Sequence, residues 1–435
     1  MNSNNGVNTR PDGFFHSPVP EDCTKSSWHI ALIVVGTLIG IPIFLVSAQV
    51  GGSLGLSEAL PAFLLGSLVL CVLGVLTSVT GATTRLSTYV LAEFAFGRSG
   101  AKIMNFVIAL TLIGWYAVTA NVFGQAADMA IRAGLGWQLP AWLYVISGSV
   151  LMIWIAVVGF SGIDRLAFLL VPLMLFFLLY TNWLTVDHIP GWDVPVALGA
   201  SMTFSEATSA VIGGYIVGVV IQPDYSRFAR NVRQSAWAMV LALGVFYPIV
   251  QVLAAIPSVA TGQVNLIEIM IALGIGVPAF LLLVLGSWSS NVVGLYSSGL
   301  SLATVFSQGR LSSITLAAGV TGTALALSQA QDYFIPFLVL LGILIPPVAA
   351  IYVIDVLLVR RGRCATDALK NEPAFNINAL LAWALSSGVG YASSNGLVEL
   401  SGVSALDAAI VAALLYPLLK VQVLFSPLSK KPEIS

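Results

Sequence analysis

Long apolar stretches separated by short polar punctuation run along almost the whole chain, and their length is the informative property. A helix that spans a bilayer needs about 20 predominantly apolar residues. About twelve such runs can be marked, beginning near residues 29, 58, 102, 139, 163, 204, 232, 277, 311, 333, 376 and 403, and we number them segments 1 to 12. The pattern predicts an all-α integral membrane protein of about twelve transmembrane helices, because only helices and closed barrels satisfy the backbone in hydrocarbon. Residues 1–28, rich in Asn, Pro, Asp and Ser, carry no apolar run and are expected to form a disordered tail. They lack the charged start and short apolar region of a signal peptide.

Two runs carry residues that oppose a helix in their interior. Gly40-Ile41-Pro42 interrupts segment 1, and Gly213-Gly214, with Gly218 close behind, interrupts segment 6. Pro42 cannot donate to the carbonyl four residues earlier and its ring clashes there, which costs about 3 kcal/mol in a regular helix. Each glycine weakens helix by roughly 1 kcal/mol relative to alanine. Broken backbone is tolerated at membrane depth only where it lines a cavity or packs inside protein. Paired breaks in corresponding segments of two halves point to a transporter site. Glycine also serves close helix packing, so by itself it is the weaker of the two signals.

Composition makes the bilayer the main solvent: 58% of the residues are hydrophobic and 9% charged, against roughly 25% charged in a soluble domain. The net charge of -1 says little, because the arrangement of charge matters more than its sum, and no basic patch suggests nucleic acid as a partner. Lys and Arg gather on the cytoplasmic side of membrane proteins. With the N-terminus inside, all but Arg132 of the 18 basic residues fall on that side. The expectation is a multi-pass protein of the cell (inner or plasma) membrane with both termini cytoplasmic.

No enzyme motif is present: there is no HExxH, no GxSxG with triad partners and no GxxxxGK[ST]. His16, His29 and His188 lie in the tail, at a helix start and in a linker, and Cys23, Cys71 and Cys364 have no metal-ligand spacing, so free thiols are expected. Glu206, Asp224, Glu268, Asp332 and Asp355 stand at segment ends or in linkers, with Asp128 toward the end of segment 3. The lack of a mid-membrane carboxylate disfavours a proton relay and favours an ion held by neutral oxygens, which broken helices and hydroxyls supply. Ser287, Ser289 and Ser290, around Trp288 in SWSSN, offer hydroxyls, or simply let helices pack. Trp115, Tyr215 and Asn291 have the chemistry to hold a planar solute. Aromatic faces stack on a nucleobase for about 1–3 kcal/mol, and an amide pairs with its edge. Helix packing is the alternative for each.

Several stretches resemble the nucleobase:cation symporter family, in its bacterial cytosine permease-like branch, in order and spacing over nearly the whole length. They are GGSLGLS at 51–57, RLSTYVLAEFAFGRSG at 85–100, GWYAV at 114–118, DYSRFARN at 224–231, SWSSNVVGLYSSGLSLA at 287–303 and IPPVAAIYVIDVLLVRR at 345–361. The resemblance implies a LeuT-like fold: segments 1 to 5 (29–184) and 6 to 10 (204–361) as inverted repeats, segments 11 and 12 (374–425) appended, and a cytoplasmic tail at 426–435. It implies that Trp115 and Tyr215 sandwich the substrate and Asn291 reads its polar edge, with Gly214, Val217 and Thr119 beside them. Sodium would be held by the carbonyls of Gly40, Phe44 and Gly286 and the hydroxyls of Ser289 and Ser290. The chain departs from the cytosine pattern at Tyr215 (phenylalanine there), Val217 (serine), Gly286 (asparagine) and the Ser289-Ser290 pair (threonines). The implied function is secondary active import of a small neutral heterocycle by alternating access: cytosine, a purine, or a related pyrimidine or cyclic ureide. Sodium is the expected coupling ion, with no resident cofactor and a monomer in the lipid bilayer. A proton-coupled or passive facilitator of the same substrates is the alternative.

Overall fold

The structure is a computed structural model that describes residues 17–158, 163–188, 202–306, 310–328 and 333–424. Every one of the twelve apolar runs carries helix. Segments 1 to 5 contain α1 (Ser27–Leu38), α2 (Ile41–Leu54), α3 (Leu56–Thr84), α4 (Thr88–Phe96), α5 (Gly100–Leu135), α6 (Ala141–Val158) and α7 (Ile163–His188). Then come α8 (Phe204–Val220), the short α9 (Pro223–Ser226), α10 (Val232–Met239), α11 (Tyr247–Thr261), α12 (Leu266–Ala272) and α13 (Val277–Val305). The chain continues with α14 (Leu311–Leu327), α15 (Phe334–Leu344), α16 (Pro346–Ile354), α17 (Ile377–Ser394) and α18 (Ser404–Leu424). Among the described residues, six helical stretches are long and apolar enough to cross a membrane, and seven if the bent α1–α2 pair is one span. On α3, Leu64, Leu68 and Val72, four residues apart, are 52%, 59% and 52% exposed, an apolar stripe suited to hydrocarbon.

The break in segment 1 is where Pro42 demands it. The axes of α1 and α2 differ by 52°, and Gly40 is extended at φ -158°, its carbonyl accepting from the amides of Ile43 (3.1 Å) and Phe44 (3.2 Å). Pro42 sits in the first turn of α2, where a missing N–H costs nothing. Gly40 itself is replaceable on steric grounds: a Cβ there would meet only ordinary contacts, the nearest at 3.7 Å.

The expected break at Gly213-Gly214 is not there. α8 runs unbroken from Phe204 to Val220, opened by a capping box between Thr203 and Glu206. Its glycines are packing residues. A Cβ at Gly213 would lie 1.9 Å from the Leu338 carbonyl oxygen of α15, and one at Gly214 would lie 3.1 Å from Val46 of α2. Close backbone approach has won over helix breaking, as small residues allow between membrane helices. The other interior interruption instead falls in segment 10, at Ile345 before Pro346-Pro347. Two π-helical stretches, Val240–Phe246 and Asp355–Val359, add further irregularity.

Buried apolar side chains form two cores. The smaller draws on α5, α6, α13 and α14, with Tyr116, Phe123, Met152, Ile153 and Leu295 at its centre. The larger gathers α1, α2, α3, α4, α8, α11, α12, α15 and α16, with α7, α17 and α18 against them, and α5 and α13 line it on their other faces. The tail expected to be disordered through residue 28 is docked from residue 17 on. Val19 is 1% exposed and its amide donates to the Arg85 carbonyl (3.1 Å), while Lys25 exchanges backbone hydrogen bonds with Phe228 (2.6 Å) and Arg230 (3.2 Å). Arg132, the exception to the charge rule, pairs with Asp128 one turn earlier at 2.8 Å.

Candidate functional site

The expected substrate residues come from α5, α8 and α13, and Trp115 and Tyr215 both pack against the larger core. In the middle of α5, Trp115 meets Phe334 and Phe337 of α15 edge-on, with centroids 5.8 and 6.0 Å away. Gly114 lets these helices close, since a Cβ there would lie 2.6 Å from the Phe337 ring. One turn on, the Thr119 hydroxyl lies 2.7 Å from the Trp115 carbonyl and hydrogen-bonds the Asn291 side-chain oxygen of α13. Asn291 is 1% exposed, and its amide nitrogen points at the Met152 sulfur 3.5 Å away. Trp115, Thr119 and Asn291 therefore form one connected set centred on the Thr119 hydroxyl. Sequence reasoning missed Phe334, Phe337 and Met152; the aromatic pair in FIPF at the start of segment 10 was the available signal.

Tyr215, on α8, packs against the same larger core as Trp115. Its hydroxyl lies 2.7 Å from the Thr37 hydroxyl of α1, and its ring packs against Tyr247 of α11 with centroids 5.7 Å apart. Tyr247 in turn donates to the Val211 carbonyl at 3.1 Å. Gly214 and Val217 do not open onto a cavity beside that ring: Gly214 packs on Val46, and Val217, 7% exposed, is a member of the larger core.

Of the expected ion ligands, Gly40 and Gly286 lie close to the break in segment 1. Gly286 of α13 packs directly on Ile41, the first residue of α2: a Cβ at Gly286 would lie 3.1 Å from the Ile41 side chain and 2.3 Å from the Met174 methyl of α7. The carbonyl of Gly40 and the α13 backbone at Gly286 are thereby brought to the same helix crossing. Phe44 lies one turn along α2, and its side chain lines an apolar pocket with Phe177, Thr181, Pro257, Met270 and Leu283. Ser290 is half-buried on α13, and the side chain of Ser289 lies outside the described residues, as do His16, Asp332 and the side chains of His29 and His188. Ser287, one residue past Gly286, is fully buried and its hydroxyl has no partner among the described residues. No cluster of His, Cys, Asp and Glu suited to a metal occurs among the described residues, so neutral oxygens are the ligands on offer.

A charged cluster stands at the far end of segment 10. Asp355 is 0% exposed and is held by Arg360 Nε (2.6 Å), the Tyr416 hydroxyl (2.6 Å) and Lys420 Nζ. Arg360 also forks onto Glu372 (2.7 and 3.0 Å) and donates to the Phe94 carbonyl of α4 (2.8 Å). Burial, opposed by Arg360 and aided by Asp355 and Glu372, pushes the neighbouring Cys364 thiol up to about 11. Cys23, Cys71 and Cys364 are free thiols. Asp224, at the end of the α8–α9 stretch, accepts from the Thr88 amide (2.8 Å) and so caps α4.

Comparison with known proteins bears on this geometry. The family model described as a permease for cytosine/purines, uracil, thiamine and allantoin matches residues 18–413. The cytosine permease of Escherichia coli (strain K12) is 28% identical over 419 residues, covering 94% of this chain and 95% of its own. Among solved structures, the inward-facing conformation of Mhp1 superposes with a TM-score of 0.81 at 20% identity, covering 95% of this chain and 94% of that one. Mhp1 in a closed conformation with bromovinylhydantoin bound, described as a nucleobase-cation-symport-1 family transporter, gives 0.77 at 20% identity, covering 94% and 95%.

Proposed function

This chain belongs to the nucleobase:cation symporter family, with its LeuT-like fold, and on that premise we propose that it imports a small neutral nucleobase-like heterocycle together with sodium. Membership makes it a membrane transporter of nucleobase-type solutes and not an enzyme. The relative that covers almost the whole chain is a cytosine permease, so cytosine heads the substrate list, with purines, other pyrimidines and cyclic ureides behind it.

The observation that carries the sodium reading is the meeting of Gly286 with Ile41 at the break between α1 and α2. There the carbonyls of Gly40, Phe44 and Gly286, using their second lone pairs, with the Ser289 and Ser290 hydroxyls, would supply oxygen ligands without a carboxylate. Such a set suits a monovalent cation, whose charge the low-dielectric interior would otherwise reject. The substrate ring is read as lying between Trp115 and Tyr215, with the Asn291 amide on its polar edge, Thr119 orienting that amide, and Gly214 and Val217 behind Tyr215. Helices α5 and α13 supply one wall of this site and α8 the other, and their relative movement would exchange access between the two sides of the membrane. Both termini are placed in the cytoplasm and the working unit is a single chain.

Uptake of cytosine into proteoliposomes under an imposed sodium gradient tests the proposal directly. Concentrative uptake that collapses when choline replaces sodium is expected. Equal uptake under a proton gradient in sodium-free buffer would reassign the coupling ion, and counterflow without accumulation would make the protein a passive facilitator.

A further inference from the structure

We infer that Thr37 is a positioning residue that couples the ion site to the substrate ring, by anchoring the Tyr215 hydroxyl to the last turn of α1. The inference rests on the proposed roles of Tyr215 and of the Gly40 carbonyl. The two hydroxyls lie 2.7 Å apart although the residues are 178 positions apart in the chain. Thr37 also donates to the Val34 carbonyl of its own helix at 2.7 Å. A hydroxyl has one proton to give, so Tyr215 is the donor to Thr37. The tyrosine O–H is therefore committed to α1 and reaches the substrate only as an acceptor.

The rest of the ring's surroundings leave it little freedom. It lies down over Gly218 one turn along α8, where a Cβ would come within 2.8 Å of Cζ and 3.0 Å of Cε1. Tyr247 packs beside it at 5.7 Å and 43°, itself tied to Val211. Any side chain at 218 would lift the ring off its helix. With the base and flank of the ring set by α8 and α11, the position of its tip is set by α1. Thr37 stands three residues before Gly40, in the last turn before the chain leaves the helix and the Gly40 carbonyl opens α2.

An ion that draws on the Gly40 and Phe44 carbonyls orients this break, and with it the end of α1. Two sites are coupled only when each ligand changes a contact that the other feels. The Thr37–Tyr215 hydrogen bond is such a contact, running from the ion's backbone to the aromatic wall of the substrate site. A phenylalanine at 215 has no tip to anchor, so this route is particular to a chain with tyrosine there.

The test measures binding to the purified full-length protein in sodium chloride and in choline chloride, using the tightest binder among cytosine, uracil, hypoxanthine and allantoin. The readout is the factor by which sodium tightens binding; couplings between sites ordinarily run about 5–150-fold. Thr37→Val and Tyr215→Phe should each bring that factor close to one, and Thr37→Ser, which keeps the hydroxyl, should restore it. A merely structural role would weaken binding equally in both salts and leave the factor intact, and that result overturns the inference. Retention of the wild-type factor by Tyr215→Phe overturns it as well, which keeps the test decisive if Thr37→Val does not fold. Tyr215→Ala with undiminished affinity, or no binding of any of the four compounds, would remove the substrate reading and the inference with it. A wild-type protein indifferent to sodium would remove the ion reading in the same way.

Discussion

The two cores differ in how regular their helices are. Around the smaller core, α5, α6, α13 and α14 run without interruption, α5 for 36 residues and α13 for 29. Around the larger core lie the 52° bend between α1 and α2, the interruption at Ile345, and the π-helical stretches at 240–246 and 355–359. Glycine does not make the difference, because both use it for close approach: Gly66 on Val211 and Gly213 on Leu338 in one, Gly148 on Phe123 and Gly322 on Tyr116 in the other. The difference lies in freed backbone. Irregular backbone at membrane depth must be buried or line a cavity, and here it is collected in one irregular body packed against a regular one. The regular body carries Trp115, Thr119, Asn291 and Gly286; the irregular body carries Gly40, Phe44 and Tyr215.

The comparison breaks most visibly where the irregular body is pinned. Asp355, at the head of one π-helical stretch, is fully buried between Arg360, Lys420 and Tyr416. Removing one partner of a buried pair leaves uncompensated charge and costs about 3–5 kcal/mol. Asp355→Ala should lower thermal stability by that order. In the regular body, Asn105→Ala removes a single 2.8 Å side-chain bond to Thr304 and should cost about 1 kcal/mol. Equal losses in a thermal-shift assay would mean that the π-helical end is not specially held.

Asn291 tests what the regular body contributes to binding. Asn291→Ala is expected to weaken substrate affinity by about 1–3 kcal/mol, the cost of leaving a polar edge unpaired. Thr119→Val should do part of the same by letting the Asn291 amide turn. Unchanged affinity in both variants, measured by direct binding, would confine substrate recognition to the irregular body.

Gly213 and Gly40 separate packing from breaking. Gly213→Ala sets a methyl against the Leu338 carbonyl, so a backbone and not a flexible side chain must give way. Overpacking of this kind costs about 1–3 kcal/mol. Gly40→Ala meets only ordinary contacts and should cost about 1 kcal/mol or less, the ordinary penalty for alanine at a helix N-cap. The reverse order in a denaturation series would restore a flexible Gly213-Gly214 hinge.

That contrast also shows what the sequence could reveal. Proline acts within its own turn, so the break at Pro42 was legible. The role of Gly213 depends on a carbonyl 125 positions later, which no local pattern displays, and its reading as a break failed for that reason. The twelve helical runs were legible because apolar length is a property of composition. The short α4 and α12, the docking of residues 17–26 and the Thr37–Tyr215 bond were not, because each depends on a distant partner. Trp115, Thr119 and Asn291, named from the motifs, are in contact through the Thr119 hydroxyl. Partners such as Phe334, Phe337 and Met152, which decide how those residues are oriented, could be found only in three dimensions.

The smallest expected effect reports on the packing of the irregular body at its charged end. Burial and the carboxylates of Asp355 and Glu372 hold the Cys364 thiol at about 11, whereas a free cysteine titrates near 8.5. The thiolate is the nucleophile, so at pH 8 roughly one thiol in a thousand is reactive if the loop is packed. With Cys23→Ser and Cys71→Ser as background, the rate of maleimide labelling should keep rising about tenfold per pH unit beyond pH 9, with no plateau at the ordinary value. Because the pKa is raised, the protonated and unreactive form dominates through the whole neutral range, and labelling is lost as the pH falls. A plateau near pH 8.5 would mean that residues 363–372 open to water and that the Asp355–Arg360–Glu372 cluster does not stay closed. The irregular body would then be loose at its charged end as well as at its broken helix, and Asp355 would no longer mark a fixed point against which that body moves.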